Sequence, residues 1–372
     1  MQKSQISLGL MSGTSGDGVD ASIVRTNGIN EYELIKDKYF EYDLKIYKDI
    51  HNLKEKIHKI EHLDKYKKEI DNLERNITIF HAEIIKQLNT SENIIVGFHG
   101  QTIYHNPDEK ISRQLGNGRL LHQLTNKNII YNFRKNDILN GGQGAPLTPV
   151  FHHLISMKNE IRLPVCFLNI GGISNITIVK ERKNLSKLIS KDIGPGNCLI
   201  DNWVRKNSNK KFDQDGILAS TGTKNEIIFE QAQELYANRN SKKKKSFDVN
   251  DFDISFVRGL NLQDGVATLT DFTASTIAEE LSLSLKEFKK TPLDVLICGG
   301  GRKNKLLLKK IEENIPPNIN LKLIDDYNIN GDFIESQAFA FLAVRSLQGL
   351  PISYPNTTGC EKPCVGGELI KN

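Results

Sequence analysis

Long apolar segments are missing from this sequence, since none approaches the roughly 20 residues that a membrane-spanning helix needs. It also lacks a G-K-[ST] Walker loop and a complete G-x-G-x-x-G, so neither a P-loop nor a Rossmann dinucleotide site is indicated. Its five cysteines form an odd set, which favours reduced thiols and a cytoplasmic location. The apolar part of Met1–Gly13 is too short for a signal peptide, so we expect none.

A strong excess of either charge is missing too. The 372 residues contain 50 Lys and Arg against 45 Asp and Glu, a formal net charge of +5. This balance predicts neither a nucleic-acid nor a membrane partner. Lys242–Lys245 has no interleaved aromatic residues for base stacking, so we interpret it as a solvated loop. Cys360 and Cys364 have no second pair or nearby histidine, so we interpret them as incidental rather than as zinc ligands.

The most informative segment is the glycine-rich stretch Gly9–Asp20, GLMSGTSGDGVD. It lies between Ile6–Met11 and Val19–Val24, two apolar segments with strand character, so we predict a hairpin. Glycines let backbone N–H groups approach an anion closely, and Ser and Thr hydroxyls add donors. The loop is therefore expected to cradle the phosphates of a nucleotide. Asp17 or Asp20 could hold a divalent cation, directly or through water. A plain glycine-rich hairpin is the alternative.

Helix and strand patterns then alternate along the chain, which predicts an α/β fold. Between Ile46 and Leu88 the apolar residues recur every three or four positions, which predicts consecutive amphipathic helices with a break at His62–Tyr66. A coiled coil is the alternative there. Further strands are predicted at 94–98, 129–133, 165–169, 176–179, 188–192 and 293–298, and further helices at 198–206, 226–238, 270–289, 305–313 and 334–347.

A second strand–loop–strand unit, with the loop Gly171–Asn175, repeats the layout of the first hairpin. This echo predicts two duplicated domains whose loops hold one phosphate chain from opposite sides. We expect the first domain over residues 1–135, with about 352–372 returning to it, and the second over 136–351. Closure of the cleft between them would exclude bulk water, which competes for a phosphoryl group.

Seven motifs follow one another in a characteristic order: GLMSGTSGDGVD, HGQT at His99–Thr102, FR at Phe133–Arg134, GGQGAPL at Gly141–Leu147, NIGGISN at Asn169–Asn175, DIGPGN at Asp192–Asn197, and GGG at Gly299–Gly301 with Asn304. In this order they resemble the anhydro-N-acetylmuramic acid kinases, a family of the sugar kinase/Hsp70/actin ATPase superfamily. The resemblance runs from Gly9 to about Gly366. It implies two ribonuclease-H-like, actin-like ATPase domains around a central cleft. The family usually has Leu where Gly16 stands and Ser where Phe98 stands.

The resemblance also implies a reaction. ATP with Mg²⁺, 1,6-anhydro-N-acetylmuramic acid and water would give ADP and N-acetylmuramic acid 6-phosphate, in peptidoglycan recycling and amino-sugar catabolism. Asp192 is the expected base for the water. The expected nucleotide-binding residues are Gly13, Thr14, Ser15, Gly16, Asp17, Gly18, Val19, Asp20, Gly171, Gly172, Gly299, Gly300, Gly301 and Asn304. The expected sugar-binding residues are His99, Gln101, Thr102, Arg134, Asn169 and Glu335.

Structural interpretations of these residues remain open at this point. Asp192 could close an Asx turn on its own backbone. Glu335 lies three residues after Asp332, the spacing of a capping box. Arg134 could bind the lactyl carboxylate of muramic acid or pair with Asp137.

Two functional alternatives are open as well. One is a kinase of the same superfamily that acts on an ordinary sugar hydroxyl. The other is a non-catalytic sugar or nucleotide sensor. The sequence is compatible with a homodimer but does not give the oligomeric state.

Overall fold

The computed structural model describes residues 3–91, 93–239 and 246–371. The lysine run at 242–245 lies outside them. The chain divides into two compact units. The first comprises Met1–Leu163, Val179–Ser190 and Asp332–Asn372, and the second comprises Pro164–Ile178 and Lys191–Gly331. Residues 136–163 and 332–351 thus group with the first unit, and the domain boundaries expected from the sequence stay a prediction.

Twelve strands form two sheets within the described residues. They are β1 (Gln5–Ser12), β2 (Gly18–Thr26), β3 (Tyr32–Glu41), β4 (Ile95–Asn106), β5 (Ile111–Leu115), β6 (Asn128–Tyr131), β7 (Val165–Ile170), β8 (Ile173–Val179), β9 (Ile189–Pro195), β10 (Leu293–Cys298), β11 (Ile319–Leu323) and β12 (Glu368–Ile370). The predicted hairpin is confirmed, because β1 and β2 pair antiparallel.

The two sheets share one strand order. The first runs β12-β6-β4-β1-β2-β3 with β5 on β4, and the second runs β11-β10-β7-β8-β9. Leaving aside β5 and β12, each sheet places its first strand in the centre, its second and third on one side, and its last two on the other. The strands β1 and β4 are parallel, as are β7 and β10. The α/β fold class, with this order repeated, is confirmed.

Thirteen α-helices accompany the sheets within the described residues. They are α1 (Leu44–Lys56), α2 (Glu61–Lys65), α3 (Lys67–Gln87), α4 (Gly118–Thr125), α5 (Lys135–Leu139), α6 (Pro149–Lys158), α7 (Cys198–Asn207), α8 (Ile217–Ser220), α9 (Glu226–Arg239), α10 (Leu262–Ser284), α11 (Lys305–Asn314), α12 (Ile334–Leu347) and α13 (Pro355–Thr358). The segment from Ile46 to Leu88 forms consecutive helices rather than one coiled coil. None of the helices described is long and apolar enough to span a bilayer.

Helix α12 lies directly on the first sheet because two glycines, paired across β1 and β4, leave room for it. A Cβ atom on Gly9 would lie 1.9 Å from the carbonyl oxygen of Ser336, and one on Gly97 would lie 2.3 Å from that of Phe339. Helix and sheet backbones are therefore in contact. This packing fixes the first turn of α12, which carries Glu335, relative to the hairpin loop.

Two strands are longer than the sequence predicted. Strand β4 continues to Asn106, so His99, Gln101 and Thr102 lie on a strand and not in a loop after it. Strand β9 continues to Pro195, so Asp192 lies within the strand and the chain does not turn away directly after it. In both cases the glycines in the sequence suggested a loop, whereas pairing with neighbouring strands keeps the backbone extended.

Candidate active site

The first glycine loop, residues 13–17, is a tight turn at the tip of the β1–β2 hairpin. The N–H of Gly16 donates to the carbonyl oxygen of Gly13 at 3.2 Å, and Gly16 has a φ of +64°, which favours glycine. The side chains of Thr14 and Ser15 are exposed. Ser15 Oγ donates to Asp17 Oδ1 at 2.5 Å, which fixes that carboxylate beside the turn. The loop therefore presents polar groups on an ordered backbone.

Behind this loop, Asp20 lies within a concentration of negative charge. Its pKa is raised to about 8, first by burial and then by the neighbouring carboxylates of Asp17, Glu335, Asp332 and Asp37 in that order. The predicted ligand Val19, in contrast, has a fully buried side chain in the core. Only its backbone can face a ligand.

On the sugar side, His99 and Arg134 are joined to each other. Both Nε and Nη2 of Arg134 donate to His99 Nε2, at 3.1 and 2.9 Å, and Nη1 donates to the carbonyl oxygen of Gly144 at 2.8 Å. His99 Nδ1 lies 2.7 Å from the carbonyl oxygen of Gly100. This pattern requires a neutral His99 with its proton on Nδ1. Burial, and then the charge of Arg134, lowers the pKa of His99 well below its usual range.

The carboxylate of Asp137 has other partners than Arg134. It accepts hydrogen bonds from the N–H of Gly144 at 2.7 Å, from Ser353 Oγ at 2.5 Å and from Thr358 Oγ1 at 2.6 Å. Asp137 also forms, with Cys360 and Cys364, a group whose ligand atoms lie within 4.8 Å of one another.

Two observations argue against a metal in that group. Burial raises the pKa of both thiols, to about 12 for Cys364, and metals bind thiolates. The carboxylate of Asp137 is already occupied by three donors. We therefore interpret this cluster as structural.

Glu335 lies in the first turn of α12, half-buried. Burial raises its pKa, and the positive charge of Arg134 opposes that rise. The helix begins with Phe333 as N-cap and without a side-chain cap, so the capping box of Asp332 and Glu335 is not the arrangement found. Glu335 therefore faces the Arg134 charge from a rigid helix.

Gln101 and Thr102 point in different directions, as neighbours on a strand do. Gln101 is fully buried, and its Nε2 donates to the carbonyl oxygen of Gly13 at 3.0 Å. Thr102 Oγ1 accepts from Gln114 Nε2 at 3.2 Å. The contact of Gln101 is thus with the first glycine loop, whereas its predicted role in sugar binding stays a prediction.

The second glycine loop, Gly171–Gly172, joins β7 to β8 and rests on the segment after β9. The carbonyl oxygen of Gly171 accepts from the N–H of Asn197 at 2.8 Å, and that of Gly172 accepts from the N–H groups of Gly196 and Cys198 at 2.9 and 3.1 Å. Asn197 Nδ2 also donates to Gly171 at 3.1 Å. Both carbonyl groups of this loop are therefore held by the chain that follows Asp192.

Asp192 is 7% exposed on β9, and its Oδ2 accepts a hydrogen bond from the N–H of Phe247 at 2.8 Å. Phe247 lies 55 residues further along the chain. This oxygen is therefore fixed by a distant segment, unlike the local Asx turn that the sequence left open. Phe247 had no sequence signal as a partner, because a backbone donor depends on the fold alone.

The third glycine segment, Gly299–Gly301, follows β10. Arg302 Nη1 donates to the carbonyl oxygen of Gly299 at 3.1 Å, while its Nε and Nη2 donate to the carboxylate of Asp325 at 2.7 and 3.0 Å. The predicted nucleotide ligand Asn304 caps α11, since its Oδ1 accepts from the N–H of Leu307 at 3.0 Å. Arg302 is a residue that sequence reasoning missed, although it directly follows the glycines.

Asn169 is the second-last residue of β7 and lies beside two of these glycine segments. A Cβ atom on Gly299 would lie 2.3 Å from Asn169 Oδ1, and one on Gly171 would lie 4.0 Å from Asn169 Nδ2. The amide thus separates the second glycine loop from the third. Its predicted contact with the sugar stays a prediction.

At three positions in these loops, neither the packing nor the backbone conformation requires a glycine. A Cβ atom would meet nothing within 4 Å at Gly300, and nothing closer than 3.5 Å at Gly171 or 3.8 Å at Gly13. None of the three has a positive φ. Such positions suit the close approach of a phosphate or a ribose to the backbone, which a side chain would obstruct.

Comparison with known proteins decides between the possible families. A family model described as anhydro-N-acetylmuramic acid kinase matches residues 5–372. The anhydro-N-acetylmuramic acid kinase of Pelagibacter ubique is 52% identical over 375 residues, covering 100% of both chains. The one of Zymomonas mobilis is 34% identical over 387 residues, covering 98% of this chain and 99% of its own. The chain belongs to the anhydro-N-acetylmuramic acid kinase family.

Membership of the anhydro-N-acetylmuramic acid kinase family makes the chain a kinase, an ATP-binding transferase. Similarity to solved structures is lower. The activator of the 2-hydroxyisocaproyl-CoA dehydratase from Clostridium difficile with bound ADPNP matches with a TM-score of 0.40 and 12% identity, over 92% of this chain and 96% of its own. Hexokinase from Schistosoma mansoni complexed with glucose matches with a TM-score of 0.41 and 8% identity, over 91% and 85%.

A member of this family is expected to use Mg²⁺, and the donor set of the first unit fits that ion. Asp17 and Asp20 offer the carboxylate oxygens that hard cations prefer. The pKa of Asp20 is raised by burial first and then by neighbouring carboxylates, and a cation would offset the negative charge of those carboxylates. These two carboxylates are therefore the residues that would hold Mg²⁺, directly or through water.

Proposed function

We propose that this chain phosphorylates O6 of 1,6-anhydro-N-acetylmuramic acid while water opens the anhydro bridge. The water oxygen bonds to C1, and the C1–O6 bond breaks. O6 then bonds to the γ-phosphorus of ATP, and the bond from that phosphorus to the bridging oxygen of ADP breaks. The products are N-acetylmuramic acid 6-phosphate and ADP. This product fits a role in peptidoglycan recycling and amino-sugar catabolism.

Asp192 is proposed as the base that takes a proton from the attacking water. The hydrogen bond from the N–H of Phe247 holds the carboxylate in one orientation and stabilises its charged form. Its burial keeps competing water away. A fixed and dehydrated carboxylate is what general base catalysis needs.

Arg134 is proposed to bind the lactyl carboxylate of the sugar. A guanidinium has five N–H donors in a planar fork, and His99 and Gly144 fix the plane of this one. His99 then acts on the sugar through Arg134. Glu335 is proposed to contact sugar hydroxyl groups from the first turn of α12, with Arg134 compensating its charge.

The glycine segments around Gly13, Gly171 and Gly300 are each proposed as nucleotide-binding segments of their own unit, because a side chain is missing there and the backbone is accessible. When bound with ATP, Mg²⁺ would neutralise charge on the phosphates as the γ-phosphoryl group transfers. The chain's own contribution is to orient the phosphates with backbone N–H groups and to place carboxylates beside them.

The observation that carries this proposal is the family match over residues 5–372 with the Asp192 segment intact. The test is the reaction in ¹⁸O-water with 1,6-anhydro-N-acetylmuramic acid and ATP. We expect ¹⁸O at C1 of the product and one ADP per sugar. N-acetylglucosamine serves as the control substrate and is expected to release little ADP.

Three results would contradict the proposal. Equal ADP release with N-acetylglucosamine, or no label at C1, would favour a kinase for an ordinary sugar hydroxyl. No ADP release with any muramyl sugar would favour a sensor.

A cytoplasmic location and a homodimer are further proposals. The first rests on five free, buried cysteines, and sedimentation analysis tests the second.

A further inference from the structure

We propose that Lys54 and Gln101 are positioning residues for ATP, because they hold the carbonyl oxygens of the first glycine loop away from the phosphates. This inference rests on the proposed function of that loop. It assigns Gln101 to the nucleotide side rather than the sugar side. It also adds Lys54 on α1, which no sequence motif indicated.

The contacts come from two elements that are distant in sequence. Lys54 Nζ donates to the carbonyl oxygen of Thr14 at 2.7 Å, across 40 residues. Gln101 Nε2 donates to the carbonyl oxygen of Gly13 at 3.0 Å, across 88 residues. The N–H of Tyr42 holds a third carbonyl, that of Asp17, at 2.9 Å. Besides the N–H of Gly16 within the loop, donors from α1, from β4 and from the residue after β3 therefore hold its carbonyl groups.

Helix α1 reaches the loop because Gly16 has no side chain. A Cβ atom there would lie 2.9 Å from Cγ2 of Ile50, which is fully buried. Lys54 lies one helical turn after Ile50, so it projects from the same face of α1. The glycine at position 16, where the family usually has Leu, thus allows the approach that brings Lys54 to Thr14.

Peptide geometry converts these contacts into an orientation of N–H groups. In a planar trans peptide the C=O and the following N–H point in opposite directions. When Gln101 fixes the carbonyl of Gly13, the N–H of Thr14 points the other way. When Lys54 fixes the carbonyl of Thr14, the same holds for the N–H of Ser15. Thr14 and Ser15 are both exposed, so their N–H groups lie on the side of the loop where phosphates would approach.

Charge favours the same arrangement. A carbonyl oxygen carries partial negative charge and would repel a phosphate, whereas an N–H group attracts it. The ammonium group of Lys54 also adds positive charge behind the loop. Loss of Lys54 leaves the carbonyl of Thr14 freer to rotate towards the nucleotide. Loss of Gln101 leaves the carbonyl of Gly13 held by the N–H of Gly16 alone. Either loss weakens binding.

The test measures binding of β,γ-imido-ATP by calorimetry and steady-state kinetics for both substrates with the full chain. We expect Lys54→Met and Gln101→Met each to raise the Kd of the analogue and the KM for ATP by about 5- to 10-fold, the usual effect of one hydrogen bond. The KM for the sugar should stay within about 2-fold of wild type. Lys54→Arg should restore most of the ATP affinity.

The matched control is Lys56→Met on the same helix. Lys56 forms an exposed ion pair with Glu69 at 2.7 Å, so its loss should change neither KM. Unchanged analogue binding in Lys54→Met, or a rise in the sugar KM alone in Gln101→Met, would overturn the inference. A wild-type chain that binds no analogue would overturn the proposed function itself, and the inference with it. Lys54 is only partly buried, so its variant is not expected to unfold.

Discussion

The carbonyl oxygens of the first and second glycine loops are held by different kinds of hydrogen-bond donor. Both join the first two strands of their sheets, and in both the carbonyl oxygens are held by donors. In the first loop two of these donors are side chains, Lys54 and Gln101, from elements far along the chain. In the second loop the donors are mainly backbone N–H groups from Gly196 to Cys198.

This difference determines how each loop responds to mutation. Side-chain donors can be removed one at a time by substitution, which frees only the peptide that each of them holds. Backbone donors disappear only when the chain itself shifts. We therefore expect the first loop to be sensitive to conservative side-chain changes. The second should respond mainly to changes that move the segment after Asp192.

The largest effect is expected from Asp192, and it separates the proposed base catalysis from the hydrogen bonds that residues 196–198 donate to the second glycine loop. Asp192→Asn removes the proposed base but leaves the backbone donors to Gly171 and Gly172. We expect kcat to fall by about 10²- to 10⁴-fold, the range for a lost general base. Calorimetry with β,γ-imido-ATP should give wild-type affinity. Near-normal kcat in a folded variant would refute the role of Asp192.

Acid sensitivity should distinguish the two units, because all nine histidines lie within the first 153 residues. Burial lowers the pKa of His81 to about 4. As pH falls below about 6.5, the unfolded chain binds a proton at this residue while the folded chain does not. The contribution of His81 to the free energy of unfolding therefore declines between pH 6.5 and 4, by up to about 3 kcal/mol.

Denaturant titration of His81→Phe against wild type isolates this effect, since the raised pKa of Asp20 acts in the opposite direction in both proteins. We expect the variant to gain stability relative to wild type as pH falls. His58→Phe, at an exposed position, is the control and should leave the difference constant. A pH-independent difference for His81→Phe would contradict the prediction.

A smaller effect is expected from adjacent glycines of the third segment. A Cβ atom on Gly301 would lie 2.2 Å from Cγ2 of Ile170, whereas one on Gly300 meets nothing within 4 Å. Gly301→Ala should therefore lower the free energy of unfolding by about 1–3 kcal/mol. Gly300→Ala should keep the wild-type Tm and raise the KM for ATP several-fold. Equal Tm values for the two variants would refute this distinction.

The smallest expected effect tests the comparison most directly. Asn197→Ala removes the 3.1 Å contact from Nδ2 to the carbonyl oxygen of Gly171 but keeps the backbone donor of residue 197 at 2.8 Å. We expect the KM for ATP to rise no more than about 2-fold, less than in Lys54→Met, because the second loop retains its main donors. A larger rise than in Lys54→Met would reverse the proposed contrast.

Local patterns made much of the fold predictable. The glycine loops, the strand at 293–298 and the helix at 334–347 depend on residues adjacent in sequence, and all are found. The extended course of His99–Thr102 was not predictable, because it depends on pairing of β4 with β1 and β5. The same holds for contacts such as Phe247 to Asp192, where the donor is a backbone group without a sequence signal.

The candidate site was predictable as a set of motifs but not as a network. Arg134 was recognised, whereas its partner could be read only from the structure, in which His99 accepts its hydrogen bonds. Gln101 was assigned to the sugar because polar side chains suit hydroxyl groups, yet its donor reaches Gly13. Short motifs reveal which residues matter, while long-range contacts determine what each one touches.

The packing of α12 against the first sheet has a consequence for the evolution of related proteins. Gly9 and Gly97 lie under the carbonyl groups of Ser336 and Phe339, far too close for any side chain. A lineage that keeps this helix on this sheet can accept no other residue at either position, whatever sugar it phosphorylates. Invariance of these two glycines would therefore reflect the packing of the helix on the sheet. Changes of sugar specificity would have to arise at other positions.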